Sequence, residues 1–311
     1  MRIRKFILFT GMLLYGVCAA TAQPAGSSYS EIKSGTVAGM SSDGSLVVGY
    51  AAGWGDEYTL KSFVFNKSTG QTEWRTEYDA TDYDKSGQFK AVTSSGVIVG
   101  SMKNKDMQIE SSGGYFAPSR QSKATDDEGD EVVYTPIMTA AVWRDGKVTK
   151  LGTGTHELSE FTDGTDGSYA SGISENDIVV GYIQKSWMAV IPCAWMLNED
   201  HTEYVYTELS LPDGCQRGSA KGISADGQVA FGEASLNGNL VPVIWKGLGQ
   251  GERLTVGSDN YDGNSEADAV SPNGKYVLLH GNSYTSTPVL AIYDVTANTY
   301  TNLPLPSPDN T

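Results

Sequence analysis

One short phrase recurs five times along this chain: a small residue, an apolar residue, Ser or Thr, a turn, then an apolar run closing near Gly. Its first copy is Gly39-Met40-Ser41-Ser42-Asp43-Gly44 with Leu46 to Gly49. The phrase returns as Ala91-Val92-Thr93 through Gly100, Gly172-Ile173-Ser174 through Gly181, Gly222-Ile223-Ser224-Ala225-Asp226-Gly227, and Ala269-Val270-Ser271-Pro272-Asn273-Gly274. A supersecondary unit repeated at this period dictates a fold of stacked copies, because one copy cannot bury its apolar face alone.

Each copy reads as two successive hairpins. Asp-Gly and Asn-Gly supply the positive φ angles of tight turns between the first two strands. A third strand ends on an aromatic residue: Phe65, Trp143, Trp195, Trp245 and Tyr293. That residue follows the Ser by 21 to 24 positions in four copies, and follows Thr93 by 50 in the second. A fourth strand comes next, at Thr72 to Glu77, Lys147 to Leu151, Tyr204 to Leu209, Arg253 to Val256 and Thr299 to Leu303. Four strands and one aromatic per unit, with almost no helical periodicity, predict an all-β chain, a five-bladed β-propeller of four-stranded antiparallel blades. Small residues at Gly39, Ala91, Gly172, Gly222 and Ala269 suit innermost strands crowded at an axis, and the aromatics suit wedges between blades. The repeats run at about 36–79, 88–153, 168–211, 219–257 and 266–305, with an insertion at 103–136 in the second.

The best copies are Ala170 to Gly181 with Ala194-Trp195, and Ala220 to Gly232 with Val243-Ile244-Trp245. They resemble the HAF-type bacterial extracellular repeats, whose units run Ala-x-(Gly/Val)-(Ile/Val)-(Ser/Asn)-x-(Asp/Asn)-Gly, then Val-Val-Gly, then a strand ending in Trp. The last copy, Ser271 to Val277 with Ile292 to Val295, also resembles TolB-type propeller repeats. The resemblance consists of fold-making residues, so it implies an exported propeller and no particular activity.

The amino terminus agrees with export. Arg2, Arg4 and Lys5 precede an apolar stretch, Phe6 to Val17, too short to span a bilayer. Ala20-Thr21-Ala22 is a small-x-small cleavage pattern, which predicts a signal peptide over 1–22 and a mature chain from Gln23. A lipid anchor at Cys18 is disfavoured by Val17, where such signals want a small residue. Residues 23–35 are expected to form an arm or an extra strand ahead of the propeller at 36–311. The expected location is periplasmic, cell-surface or secreted, with no membrane span.

The formal net charge is −15, and loss of residues 1–22 removes three basic residues and no acidic one. Such a surface repels nucleic acid and anionic lipid. Cys193 and Cys215, left in an oxidising compartment, permit a disulfide without specifying one. His156, His201 and His280 are scattered and stand near no Cys, which argues against zinc.

In a propeller, the connection into each blade and the loop between its second and third strands share one face. Trp54, Tyr58, Tyr115, Trp187 and Tyr284 fall in such loops, as does the insertion, and are the candidate ligand-binding residues. Exposed aromatic rings there would stack on sugar rings. Asp82-Tyr83-Asp84-Lys85-Ser86-Gly87 alternates oxygen ligands before a Gly, so Asp82, Asp84 and Ser86 are a candidate calcium loop. Thr93, six residues past Gly87, cannot supply the bidentate carboxylate of an EF-hand. No other cofactor is expected. Only the fifth copy places carboxylates on its innermost strand, Glu266 and Asp268, where the others carry Ala38, Lys90, Ser171 and Lys221. No Gly-x-Ser-x-Gly elbow or triad pattern appears. The expectation is therefore a non-enzymatic binding or scaffold module whose partner is a glycan or another exported protein. The alternative is a glycoside hydrolase or lyase using loop carboxylates at the central cavity.

Overall fold

The computed structural model describes residues 36–52, 60–75, 87–110, 122–125, 131–156, 167–186, 189–256, 264–282 and 289–304. Among these residues every regular element is a β-strand. Unit 1 comprises β1 (Thr36–Met40), β2 (Leu46–Ala52), β3 (Leu60–Asn66) and β4 (Gln71–Arg75). Unit 2 comprises β5 (Gly87–Val92), β6 (Ile98–Glu110), β7 (Ser122–Thr125), β8 (Glu131–Arg144) and β9 (Lys147–Lys150). Unit 3 holds β10 (Gly167–Ile173), β11 (Val179–Ser186), β12 (Ala189–Leu197) and β13 (Tyr204–Glu208). Unit 4 holds β14 (Gly218–Ile223), β15 (Val229–Leu236), β16 (Asn239–Lys246) and β17 (Gly251–Arg253). Unit 5 holds β18 (Asn264–Val270), β19 (Tyr276–Asn282), β20 (Val289–Asp294) and β21 (Thr299–Leu303).

Units 1, 4 and 5 are four-stranded antiparallel meanders in chain order. Units 2 and 3 repeat that meander as β5-β6-β8-β9 and β10-β11-β12-β13, and a single parallel bridge, Gly167 to Met138, joins them into one nine-stranded sheet. The insertion at 103–136 differs from the loop expected of it. Its ends continue β6 and β8 as paired arms, and β7 adds to β8 at Ser122–Thr125. In unit 4 the last strand lies at Gly251–Arg253, slightly before the expected Arg253 to Val256, because the ladder with β16 starts at Trp245 opposite Gly251.

Successive units pack face to face through four apolar clusters among the described residues. Val48 of unit 1 meets Phe89, Met102 and Trp143 of unit 2. Val99 and Val142 of unit 2 meet Ala170, Val179 and Trp195 of unit 3. Val180 and Leu209 of unit 3 meet Ala220, Ala230 and Trp245 of unit 4, and Phe231 and Ile244 meet Leu279 and Tyr293 of unit 5. Trp195 and Trp245 are fully buried. Their indole N–H groups donate to carbonyls of the preceding unit's exit, Gly152 at 2.6 Å and Ser210 at 2.8 Å. Burying about 200 Å² of indole is worth roughly 5 kcal/mol before entropic costs. The wedge role expected of these aromatics is thus met, with a hydrogen bond added.

The small residues of the innermost strands also have a physical reason. A Cβ on Gly172 would stand 2.7 Å from the Cα of Gly222, so neighbouring inner strands touch backbone to backbone there. Cys193, on the seam of units 2 and 3, and Cys215, against that of units 3 and 4, are both free thiols.

Candidate functional site

The Ser or Thr of each repeat phrase does one structural job five times. Each hydroxyl accepts the backbone N–H of the first residues beyond the turn: Leu46 on Ser41, Val97 on Thr93, Ile178 on Ser174, Val229 on Ser224 and Tyr276 on Ser271, at 2.9–3.0 Å. In four copies the same hydroxyl donates to the Asp or Asn two residues on, Asp43, Asn176, Asp226 and Asn273. Unit 3 carries Asp177 at φ 65 where the other four copies place Gly, and its carboxylate takes Arg144 of unit 2 at 2.6 Å.

These turns are gathered at one end of the molecule. Glu175 of unit 3 accepts from Ser42 of unit 1 at 2.7 Å and from both the hydroxyl and the backbone N–H of Ser94 in unit 2. Its own N–H donates to Ala225 of unit 4, and Asp226 N–H donates to Pro272 of unit 5. Burial pushes the Glu175 carboxyl up, but the donors from Ser94 and Ser42 outweigh it and hold the pKa below its ordinary value.

Three residues before each of these hydroxyls, every innermost strand has a β-bulge. The residues skipped by the ladder are Ala38, Lys90, Ser171, Lys221 and Asp268. A bulge bends its strand and re-aims the extra side chain. All five are half-buried, which places them between the packed seams and solvent. Around units 1 to 3 this line is sparse in charge: Lys90 lies over the Tyr50 ring at 4.8 Å, and Tyr169 stacks on Tyr182.

Around units 4 and 5 it becomes a charge cluster. Lys221 Nζ meets Glu233 at 2.7 Å and Glu266 at 2.5 Å. Asp268 meets Nδ1 of His280 at 2.6 Å. Glu266 sits opposite His280 in the β18–β19 ladder, so both carboxylates of β18 reach the same imidazole. Burial works against the charge on Lys221, yet Glu233 and Glu266 raise its pKa above the ordinary value. Burial likewise raises Glu266, but Lys221 and His280 more than reverse it, leaving the carboxyl more acidic than usual. The hydrogen bond that His280 Nδ1–H donates to Asp268 dominates at the imidazole and raises its pKa. Burial and the nearby Glu233 push the Tyr182 hydroxyl up. Single ligand atoms of Glu266, Asp268 and His280 lie within 4.8 Å of one another, so these three could hold a cation. A separate cavity of roughly 670 Å³, between units 1 and 2, is lined by Leu46, Val64, Val92 and Ile98 and by no member of the cluster.

The residues expected from sequence to bind a ligand, Trp54, Tyr58, Tyr115, Trp187 and Tyr284, lie outside the described residues. So do Asp82, Asp84 and Ser86 of the expected calcium loop. Glu266 and Asp268 were legible as inner-strand carboxylates. Glu233 and His280 were not, because each joins the site only through cross-strand pairing. Counting residues outward from the Ser271–Gly274 turn is the one signal that finds His280.

No helix among the described residues is long and apolar enough to cross a membrane. No protein-family profile matches this chain, and no curated protein does. Among solved structures it is similar to a TolB-type protein of Agrobacterium tumefaciens, at 11% identity, covering 87% of this chain and 79% of that one with a TM-score of 0.48. It is also similar to TolB of Acinetobacter baumannii, at 14% identity, 90% of this chain, 55% of that one and a TM-score of 0.44. A third is the β-propeller domain of a trilobed protease from Pyrococcus furiosus, which has an open velcro topology, at 14% identity, 87% and 81% coverage and a TM-score of 0.36. These are likenesses of chain path among propeller proteins, at identities that carry no activity across.

Proposed function

We propose that the chain is an exported five-bladed propeller of the HAF-repeat kind, working as a binding or scaffold module. Its partner is a glycan or another exported protein, docked on the face opposite the Ser/Thr turns. The observation that carries this reading is the unequal treatment of the two ends. The turns of all five units are tied together at one end through Glu175, Ala225 and Asp226. In a meander, the connections between second and third strands then fall at the other end, and sequence position assigns Trp54, Trp187, Tyr284 and the long insertion to those connections. Five meanders with four successive apolar seams support the blade count, with Phe65 as the wedge that would meet unit 5 on closure.

A pair of carboxylates that cleaves a glycosidic bond needs one member kept protonated as general acid, and Glu266, held more acidic than usual by Lys221, is unsuited to that part. The test is capture: the full chain, immobilised, is exposed to a glycan array and to the exported proteins of the source cell. Loss of the captured partner in Trp187→Ala and Tyr284→Ala supports the reading. Unchanged capture in both, or release of reducing sugar from a polysaccharide, overturns it.

A further inference from the structure

The cluster on units 4 and 5 has the composition of a cation site that sequence spacing alone argued against. We propose that Glu266, Asp268 and His280 form a binding site for a first-row divalent transition ion, zinc being the natural probe, with Lys221 as its internal competitor. Three observations carry it. The donor set is one imidazole and two carboxylates, from neighbouring strands, with ligand atoms within 4.8 Å of one another. Around a zinc ion, nitrogen and oxygen ligands at about 2.0–2.2 Å stand roughly 3–4 Å apart, so side-chain rotation of under about 1 Å closes the set. An imidazole ligand favours zinc, nickel or copper over calcium, which takes oxygen.

The groups are also placed to hold rather than merely to attract. Their side chains are only 15–30% exposed, and Asp268 is the extra residue of a bulge, so backbone geometry directs its carboxylate at the His280 ring. Charge points the same way. Glu233, Glu266 and Asp268 face the single ammonium of Lys221, so carboxylates outnumber the fixed cation in the cluster. Lys221 bridges Glu233 and Glu266. It can keep Glu233 while Glu266 turns to the metal. Three protein ligands leave the remaining coordination positions to water or to an oxygen of a docked molecule.

The experiment is titration of the chelator-stripped full chain with zinc in a calorimeter, repeated with Asp268→Asn, His280→Gln and Lys221→Met. One equivalent is expected, weakened about 10- to 100-fold in Asp268→Asn and His280→Gln. Lys221→Met is expected to tighten it, since the competing cation is gone. Cobalt absorption in the visible range gives a second reading, and His280→Gln should shift it. Absence of a stoichiometric equivalent overturns the proposal. So does an affinity that Asp268→Asn and His280→Gln leave unchanged, which would assign the ion to the acidic surface. If those two variants fail to fold, Lys221→Met decides: unchanged affinity there overturns it.

Discussion

Two sets of five positions lie three residues apart, one within the first strand of each unit and one just past its end, and the repeats have treated them in opposite ways. The turn hydroxyls are Ser or Thr in every copy and make the same backbone bond in every copy. The bulge residues are Ala38, Lys90, Ser171, Lys221 and Asp268, with hardly a property in common. A buried hydroxyl that completes a turn has one solution, whereas a half-buried side chain without a partner in the ladder has many. Positions of the first kind specify the fold. Positions of the second kind are free to differ between units, and two of them, Lys221 and Asp268, belong to the charge cluster of units 4 and 5.

That contrast sets an order of expected effects. Trp195→Ala removes a seam wedge and its bond to Gly152, and is expected to cost about 3–5 kcal/mol. Urea unfolding would show it as a lowered midpoint with little change in slope. Ser224→Ala leaves the buried Val229 N–H without its acceptor, for about 1–2 kcal/mol by the same assay. Comparable losses for Ser174→Ala and Ser271→Ala would establish the turn hydroxyl as a repeated unit of stability; a loss confined to one copy would break the equivalence.

Glu175 gives a pH dependence whose sign is fixed by its depressed pKa. Its contribution is present above the pKa of the unfolded chain and is lost as pH falls through the lower folded value. Stability measured from neutral pH down through the carboxylate range should therefore fall less steeply in Glu175→Gln than in the parent. Equal slopes would place the acid sensitivity elsewhere. Smallest of all, Ser171→Ala at the unit 3 bulge is expected to change stability by less than about 0.5 kcal/mol, as a half-buried position outside the apolar clusters. A large loss there would show that the bulge line is structural after all.

Much of this architecture was legible in the sequence because turn chemistry is local. Asp43-Gly44, Asp226-Gly227 and Asn273-Gly274 announce their hairpins within a few residues, and β21 falls where the alternation puts it, at Thr299–Leu303. The paired arms of the insertion were not legible, since Lys103 to Asp106 is an unbroken polar run and only Met107 and Ile109 alternate after it. The site was half legible for the same reason. Glu266 and Asp268 share a strand, whereas His280 and Glu233 arrive only through pairing with neighbouring strands, across ladders that carry register shifts. Asp177 is a further instance. Read alone it is a polar turn residue, yet it holds a left-handed backbone where Gly would be cheaper, and the Arg144 ion pair is the reason to keep it.

The five bulges have an engineering consequence. A residue in a strand normally answers to two masters, the sheet face it points from and the partner opposite it. The bulged residue has no partner in the ladder, so a change there leaves the alternation on either side of it in phase. The chain thereby owns five adjustable slots on a fixed frame, one per unit. A library confined to those slots would explore new specificities while leaving every residue of the buried apolar clusters unchanged.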